Sequence, residues 1–188
     1  MAEEDQELHV VITHEQADFD ALASLLAVCL LQPEASAVLP RRINRNVRAF
    51  LTLHGFDLPV LEYPDLAGRR ISQVTLVDTQ SLPSLKGLNS DALICVIDHH
   101  PEDDNHPEWE KHVELTGANT TLLVEQMQKR QVSLDFSSAT LMLLGIYEDT
   151  GSLSYASTSP RDIRAAAWLV EQGANLSLAS DFLDHPLS

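Results

Sequence analysis

Eight histidine and aspartate side chains stand where this chain leaves one apolar run and enters another. They are His14, Asp18 and Asp20 in V-I-T-H-E-Q-A-D-F-D-A-L, Asp78 in L-V-D-T-Q, Asp98, His99 and His100 in V-I-D-H-H-P, and Asp149 in Y-E-D-T-G-S. Carboxylates gathered without a countercharge repel one another and take up protons, so a cluster of this kind calls for a cation. Mixed imidazole and carboxylate donors suit Mn²⁺, Fe²⁺, Zn²⁺ or Mg²⁺. Two such ions side by side need a bridging carboxylate, and together they lower the pKa of a shared water and hold phosphoryl oxygens during in-line attack. The chemistry indicated is metal-assisted hydrolysis. Taken singly, each residue has an ordinary reading. An aspartate after a strand makes turns or caps helices, Asp20 could serve a helix dipole, and His99 and His100 could be surface loop residues like His106 and His112. It is the coincidence of four separate segments that favours the metal centre.

The elements that must position these groups follow from the apolar pattern. Leu8 to Thr13 is a β-rich run and Ala17 to Leu31 a helix-like stretch ended by Gln32-Pro33. The pattern is strand, loop, helix. Arg41 to His54 has helical periodicity with Gly55 as a stop, and Leu58 to Tyr63 suggests a second strand. Val74 to Val77 and Leu93 to Ile97 are continuous apolar runs ending at Asp78 and Asp98, as in a parallel sheet covered on both faces. After a polar loop, Pro101 to Pro107, a short strand is expected at Val113 to Thr116. Helices follow at Thr120–Lys129, Ser137–Glu148, Pro160–Gln172 and Leu176–Leu183, with Pro160 at a helix start and Gly173 as a C-cap. The expected fold is α/β, a doubly wound, mostly parallel sheet with helices on both faces, whose ligands bind at the carboxyl ends of the strands.

Composition narrows the class. The chain of 188 residues is 44% hydrophobic and 21% charged, long enough for one well-buried domain or two small ones, and its formal charge of −16 repels nucleic acid over most of its surface unless the charge is locally reversed. Some of that charge could hold cations. No apolar run reaches the length of a membrane helix, and the N-terminus is acidic where a signal peptide is basic, so a cytoplasmic location and no membrane partner are expected. Cys29 and Cys95 lie in apolar segments and read as buried reduced thiols without zinc-type spacing.

The order of these motifs resembles the DHH family of phosphoesterases. The naming tripeptide is Asp98-His99-His100, and around it stand H-E-Q-A-D-F-D-A-L-A-S at 14–24, V-D-T-Q at 77–80, Y-E-D-T-G-S at 147–152, and T-G-A-N-T-T at 116–121. The resemblance covers nearly the whole chain, read as one DHH domain over residues 1–188, with the family's C-terminal substrate-binding domain expected to be missing. It implies that His14 and Asp18 hold one metal, that Asp20, His99 and Asp149 hold the other, and that Asp78 bridges them. It also implies that Asp98 orients the histidine pair and His100 lies near the substrate phosphate. The implied cofactor is two Mn²⁺ ions, with Mg²⁺ or Co²⁺ as substitutes. The implied partners are a small phosphorylated substrate or short oligonucleotide and the missing C-terminal domain, with a homodimer left open. The motif variant at 14–24, with P-R-R-I-N-R-N-V-R after it, is similar to DHH domains at the N-terminus of bacterial fusions with CBS domains and a tRNA nucleotidyltransferase or poly(A)-polymerase-like module. A non-catalytic or regulatory metal-binding role in such a protein is the alternative.

Other residues carry two readings each. Arg41, Arg42, Arg45 and Arg48 form the dense basic patch, which either contacts phosphate or RNA at the rim of the site or is a solvated helix face. Trp109 and Trp168 read as packing residues rather than base-stacking platforms. Ser24 and Thr79 read as support or cap residues, since no histidine is spaced to activate a nucleophilic serine.

Overall fold

The computed structural model describes residues 7–54 and 60–184. Its six strands are β1 (Leu8–Ile12), β2 (Ala35–Leu39), β3 (Val60–Glu62), β4 (Ile71–Val77), β5 (Leu88–Asp98) and β6 (Glu110–Val113). All pair in parallel, in the order β3-β2-β1-β4-β5-β6. The order reverses between β1 and β4, and the crevice at the carboxyl ends of two such strands is where doubly wound sheets bind ligands.

Helices α1 (Phe19–Leu31), α2 (Arg45–His54), α3 (Asn119–Arg130), α4 (Phe136–Thr150), α5 (Pro160–Glu171) and α6 (Leu176–Asp184) complete the fold. The two faces of the sheet are covered unequally. Val11, Val77 and Ile97 point into a large core shared with residues of all six α-helices. Val10, Ile12, Val74, Leu76 and Val96 point the other way, under Leu66 of a 3-10 turn (Tyr63–Leu66), Leu82, Leu85 and Trp109. Because β1 is central and covered twice, all five of its residues are buried, and its one polar side chain, His9, pairs with Thr75 Oγ1 at 2.9 Å.

Several sequence expectations shift. β2 was not expected, because A-S-A-V-L has little of the β-branched or aromatic content that marks a strand; pairing with β1 and cover from α1 make it one. The last strand lies at Glu110–Val113 rather than Val113–Thr116, its register set by β5. Helix α2 starts at Arg45, since Arg41–Asn44 instead zips onto the loop after β1: Gln16 N–H donates to the Arg42 carbonyl (2.9 Å) and Asn44 N–H to that of Ala17 (2.9 Å). Arg41 therefore lies outside the helical face of Arg45 and Arg48 and stacks over the Tyr63 ring. The Gly55 stop and the strand start at Leu58 fall outside the described residues. Gly173 ends α5 as expected, at φ +100°.

Two close approaches hold the helices in register with the sheet. At Gly145 of α4 a Cβ would lie 2.9 Å from Thr120 Oγ1 and 3.0 Å from Asp20 Cα, so α1, α3 and α4 meet where only a glycine fits. Asp162, fully buried in the first turn of α5, accepts from the Thr121 hydroxyl (2.7 Å), the Gly117 N–H (3.0 Å) and both the N–H and hydroxyl of Ser159 (2.6 and 2.7 Å). It ties the 116–121 segment to α5. Asp162→Ala leaves these buried donors unpaired and is expected to cost about 3 kcal/mol in chemical denaturation. Burial opposes the charge of Asp162, but its donors outweigh that and hold the carboxyl below its ordinary 3.8. A depressed carboxyl contributes stability above its unfolded pKa and loses it as pH falls through the folded one, so the gap between wild type and variant should close below about pH 4. A gap independent of pH would contradict this role.

Candidate metal centre

All eight sequence-selected residues converge at the carboxyl edge of the sheet. His14 follows β1, Asp78 follows β4, Asp98 ends β5 with His99 and His100 after it, Asp18 and Asp20 sit at the start of α1, and Asp149 is in the last turn of α4. Donor atoms of His14, Asp18 and Asp78 form one group, and those of Asp20, His99 and Asp149 another, each with all atoms within 4.8 Å of one another. Asp78 faces both: Oδ2 is 3.2 Å from His14 Nε2 and Oδ1 is 3.3 Å from His99 Nε2. His99 Nε2 is also 3.3 Å from Asp149 Oδ2. Asp78 holds a left-handed backbone, φ +55°, with its N–H on the Ile97 carbonyl (3.1 Å). Aspartate tolerates that region better than most residues, and strain of this kind collects at functional sites.

The supporting shell aims the donors. His14 Nδ1 meets the Glu15 carbonyl (2.9 Å) and His99 Nδ1 the Thr116 carbonyl (3.1 Å), so each ring donates there and turns Nε2 inward. His99 Nε2 and Asp78 Oδ1 are buried with no hydrogen-bond partner. Two buried, unpartnered lone-pair atoms facing one centre are what a cation would satisfy, and the residues fit a divalent metal on that ground. Asp18 also caps its own helix, accepting from Ala21 N–H (3.0 Å). Asp20 is fully buried and caps a different helix, accepting from Asn119 N–H (2.7 Å) and Thr120 N–H (2.8 Å) at the start of α3, whose own N-cap, Ala118, has no side-chain acceptor. The dipole role considered for Asp20 is thus real, but it serves α3.

Charge balance without a metal is kept by protons. The hydrogen bond that His14 donates to Asp78 raises its pKa to about 9. Burial alone would lower His99, but Asp78 and Asp20 raise it to about 10. Burial and neighbouring carboxylates lift Asp149 to about 8 and Asp20 to about 6, whereas Asp78, between two imidazoles, falls below the usual range despite its burial.

Asp98 belongs to neither group of three, but its donor atom lies within 4.8 Å of those of Asp78, His99 and His100. Its Oδ1 accepts from His100 Nδ1 (2.9 Å) and the His99 N–H (2.8 Å), and its Oδ2 from the Gln80 amide (2.8 Å). His100 is largely exposed and lines a cleft of about 600 Å³ with His14, Asp18, Asp78, Thr79 and Asp149. Ser24 pairs with the buried Asn119 amide, and Thr79 Oγ1 accepts from the Ser81 N–H.

Several contributors had no sequence assignment. Glu148 accepts the Phe19 N–H (2.7 Å) at the start of α1, and burial with the charges of Asp18 and Asp20 pushes it to about 7. Its adjacency to Asp149 was the available signal. With its amide turned to match its surroundings, Asn119 donates to the Ile97 carbonyl and accepts from the Asp78 N–H, both at 3.2 Å. Gln80 links Asp98 to the 101–105 loop by accepting from the Asp103 N–H (2.9 Å), and Lys111 Nζ holds that loop through the carbonyls of Asp103 and Asn105, both at 2.7 Å. Trp109 stacks on His106 at 3.9 Å and packs under the sheet, and Trp168 packs on the helical core. Cys29 is buried as expected; Cys95 is only half-buried.

Residues 9–146 match the model of the DHH family, N-terminal domain. The chain belongs to the DHH family. Over 189 residues, 96% of this chain, it is 35% identical to the A-adding tRNA nucleotidyltransferase of Geobacter sulfurreducens, and over 161 residues, 74% of this chain, it is 30% identical to exopolyphosphatase PRUNE1 of Bos taurus. It spans about a fifth of the nucleotidyltransferase (21%) and a third of the exopolyphosphatase (35%). A solved exopolyphosphatase-related protein of Bacteroides fragilis shares the fold, with a TM-score of 0.73 at 16% identity over 98% of this chain and 58% of that one. The DHH motifs of the sequence coincide with the converging residues. Among the described residues, no helix is long and apolar enough to cross a membrane.

Proposed function

We propose that this DHH domain is a manganese-dependent phosphoesterase that hydrolyses a phosphodiester, phosphomonoester or phosphoanhydride of a nucleotide, short oligonucleotide or other small phosphorylated molecule. The observation that carries the reading is the pair of inward-turned imidazoles, His14 and His99, on either side of Asp78. His14 and Asp18 would hold one Mn²⁺, Asp20, His99 and Asp149 the other, and Asp78 both, with Mg²⁺ or Co²⁺ able to substitute. When bound, the ions supply a nucleophilic water at neutral pH and neutralise charge on the phosphoryl oxygens. The chain's own residues do the rest. Asp98 accepts a hydrogen bond from His100 Nδ1–H and fixes the ring; when doubly protonated, His100 would donate its Nε2–H to a phosphate oxygen or leaving group. Gln80 keeps Asp98 in place. Thr116 and Glu15 carbonyls keep His99 and His14 in the tautomer that presents Nε2. The open cleft of about 600 Å³ is of the size that takes a small ligand.

The test is hydrolysis of a generic phosphodiester, pyrophosphate and pApA in Mn²⁺. His100→Ala is expected to bind metal as before and to lower kcat by about 100-fold or more. Unchanged kcat would remove His100 from the chemistry.

The similarity to the A-adding tRNA nucleotidyltransferase favours a second reading, in which the domain holds metal and serves a larger nucleotide-adding protein without turnover. Full metal binding with no hydrolysis of any of the three substrates, by this chain or by a nucleotidyltransferase containing such a domain, would support that reading over the first.

A further inference from the structure

We propose that Cys95, Glu110 and His112 form a second metal site, for a thiophilic ion of the Zn²⁺ type, on the β5–β6 edge of the sheet. Fifteen or more residues separate the cysteine from the other two, so no local motif announces the group. The strand register assembles it. Cys95 pairs with Glu110 and Ile97 with His112 in the parallel ladder, and the two-residue period then puts all three side chains on the face that carries the α-helices. Their donor atoms lie within 4.8 Å of one another, with Glu110 Oε1 3.0 Å from His112 Nε2.

Tetrahedral zinc, with bonds of about 2.0 to 2.3 Å, needs its ligands about 3.3 to 3.8 Å apart. The contraction of about an ångström falls on Glu110 and His112, whose side chains are 70% and 56% exposed and free to turn. Cys95 is the anchored member, half-buried against the helical core. The donor set is chemically unlike the cleft. Thiolate, imidazole and carboxylate select zinc or cobalt, whereas the cleft offers only nitrogen and oxygen. Burial and the Glu110 charge push the Cys95 thiol up to about 11, so without metal it keeps its proton and is a poor nucleophile. Binding breaks the S–H bond, forms the sulfur–metal bond and releases the proton to solvent. Three protein ligands leave the remaining position to water.

The site would clip the four-residue edge strand β6 to β5. That strand also carries Lys111, which holds the 103–105 loop beside the cleft. The competing account is a surface pair between Glu110 and His112, which requires no metal.

Cobalt separates the two accounts, because only a sulfur ligand produces a near-ultraviolet sulfur-to-cobalt charge-transfer band. Titration of the whole chain with Co²⁺ is expected to give that band with an amplitude of one sulfur-bound Co²⁺ per chain once the cleft is also supplied, and to give it within the first equivalent in Asp78→Asn, where the cleft is impaired. Cys95→Ser should lose the band and one equivalent of bound Zn²⁺. Because Cys95 contacts the core, the exposed His112→Ala serves as the second variant: its circular dichroism should be unchanged and its Co²⁺ affinity at the sulfur site at least about tenfold weaker. No band in the wild type, a band that survives Cys95→Ser, or unchanged affinity in His112→Ala would each overturn the site.

Discussion

Asp78→Asn is expected to abolish binding of both ions and to lower hydrolysis by about 1000-fold or more, because one carboxylate serves two groups of ligands. Its Oδ2 faces His14 at 3.2 Å and its Oδ1 faces His99 at 3.3 Å, and no other carboxylate among the described residues faces both imidazoles so closely. The amide has nearly the same shape, so packing and the left-handed backbone survive. The charge does not, and the amide nitrogen would turn a donor toward a place that calls for an anion. Metal content after dialysis and calorimetric titration both read the result. Two Mn²⁺ per chain in wild type and none in the variant is the expected pair of values; retention of two by the variant would end the bridging role. The substitution also tests the charge balance without metal. His14 owes its rise chiefly to Asp78, so in metal-free Asp78→Asn its pKa should fall from about 9 toward 6.5.

At a fixed Mn²⁺ concentration, set a hundredfold above the dissociation constant at pH 7, the ion should raise stability by about 3 kcal/mol, more at pH 8 and less at pH 6. The metal-free native state binds protons where cations would sit. His14 and His99, raised to about 9 and about 10 from 6.5, contribute stability that is complete below about 6.5 and is lost as pH rises through the folded values. Asp149, raised to about 8 from 3.8, acts in the same direction, because the native state holds its proton where the unfolded chain has released it. The metal-free fold therefore weakens as pH rises from about 4 toward 10. A cation requires bare Nε2 atoms and ionised carboxylates, so binding expels these protons and tightens with pH, by about 1.4 kcal/mol per pH unit for each proton released. Thermal shift at fixed Mn²⁺ across this range is the measurement. A shift absent with Mn²⁺, Mg²⁺ and Co²⁺ alike would sink the metal centre, and one indifferent to pH would sink the proton exchange.

The converging residues were legible before the fold because each is announced by its own neighbourhood. A continuous apolar run predicts a buried parallel strand, and an aspartate or histidine at its end predicts a group at the carboxyl edge, as with His14, Asp78 and Asp98. What supports those residues was not legible, since it depends on partners far away in the chain. Thr116 positions His99, Asn119 holds the backbone of Asp78, and Glu148 and Asp20 cap helices to which they do not belong. β2 was missed for a related reason: small residues make a strand only when flanking strands and a covering helix supply the burial that their own side chains do not.

The sequence by itself carried the resemblance to the family in its order of motifs, and it determined the opening strand-loop-helix unit and the eight residues that converge at the sheet edge, because these depend on local apolar period and on residue types at element ends. The tertiary structure alone decided that Asp78 lies between the two imidazoles, that Asp20 caps α3, that Gly145 lets three helices meet, and that Cys95 shares a face with Glu110 and His112. Those facts rest on strand order, register and helix approach, which are set by burial summed over the whole chain rather than by any short stretch of it.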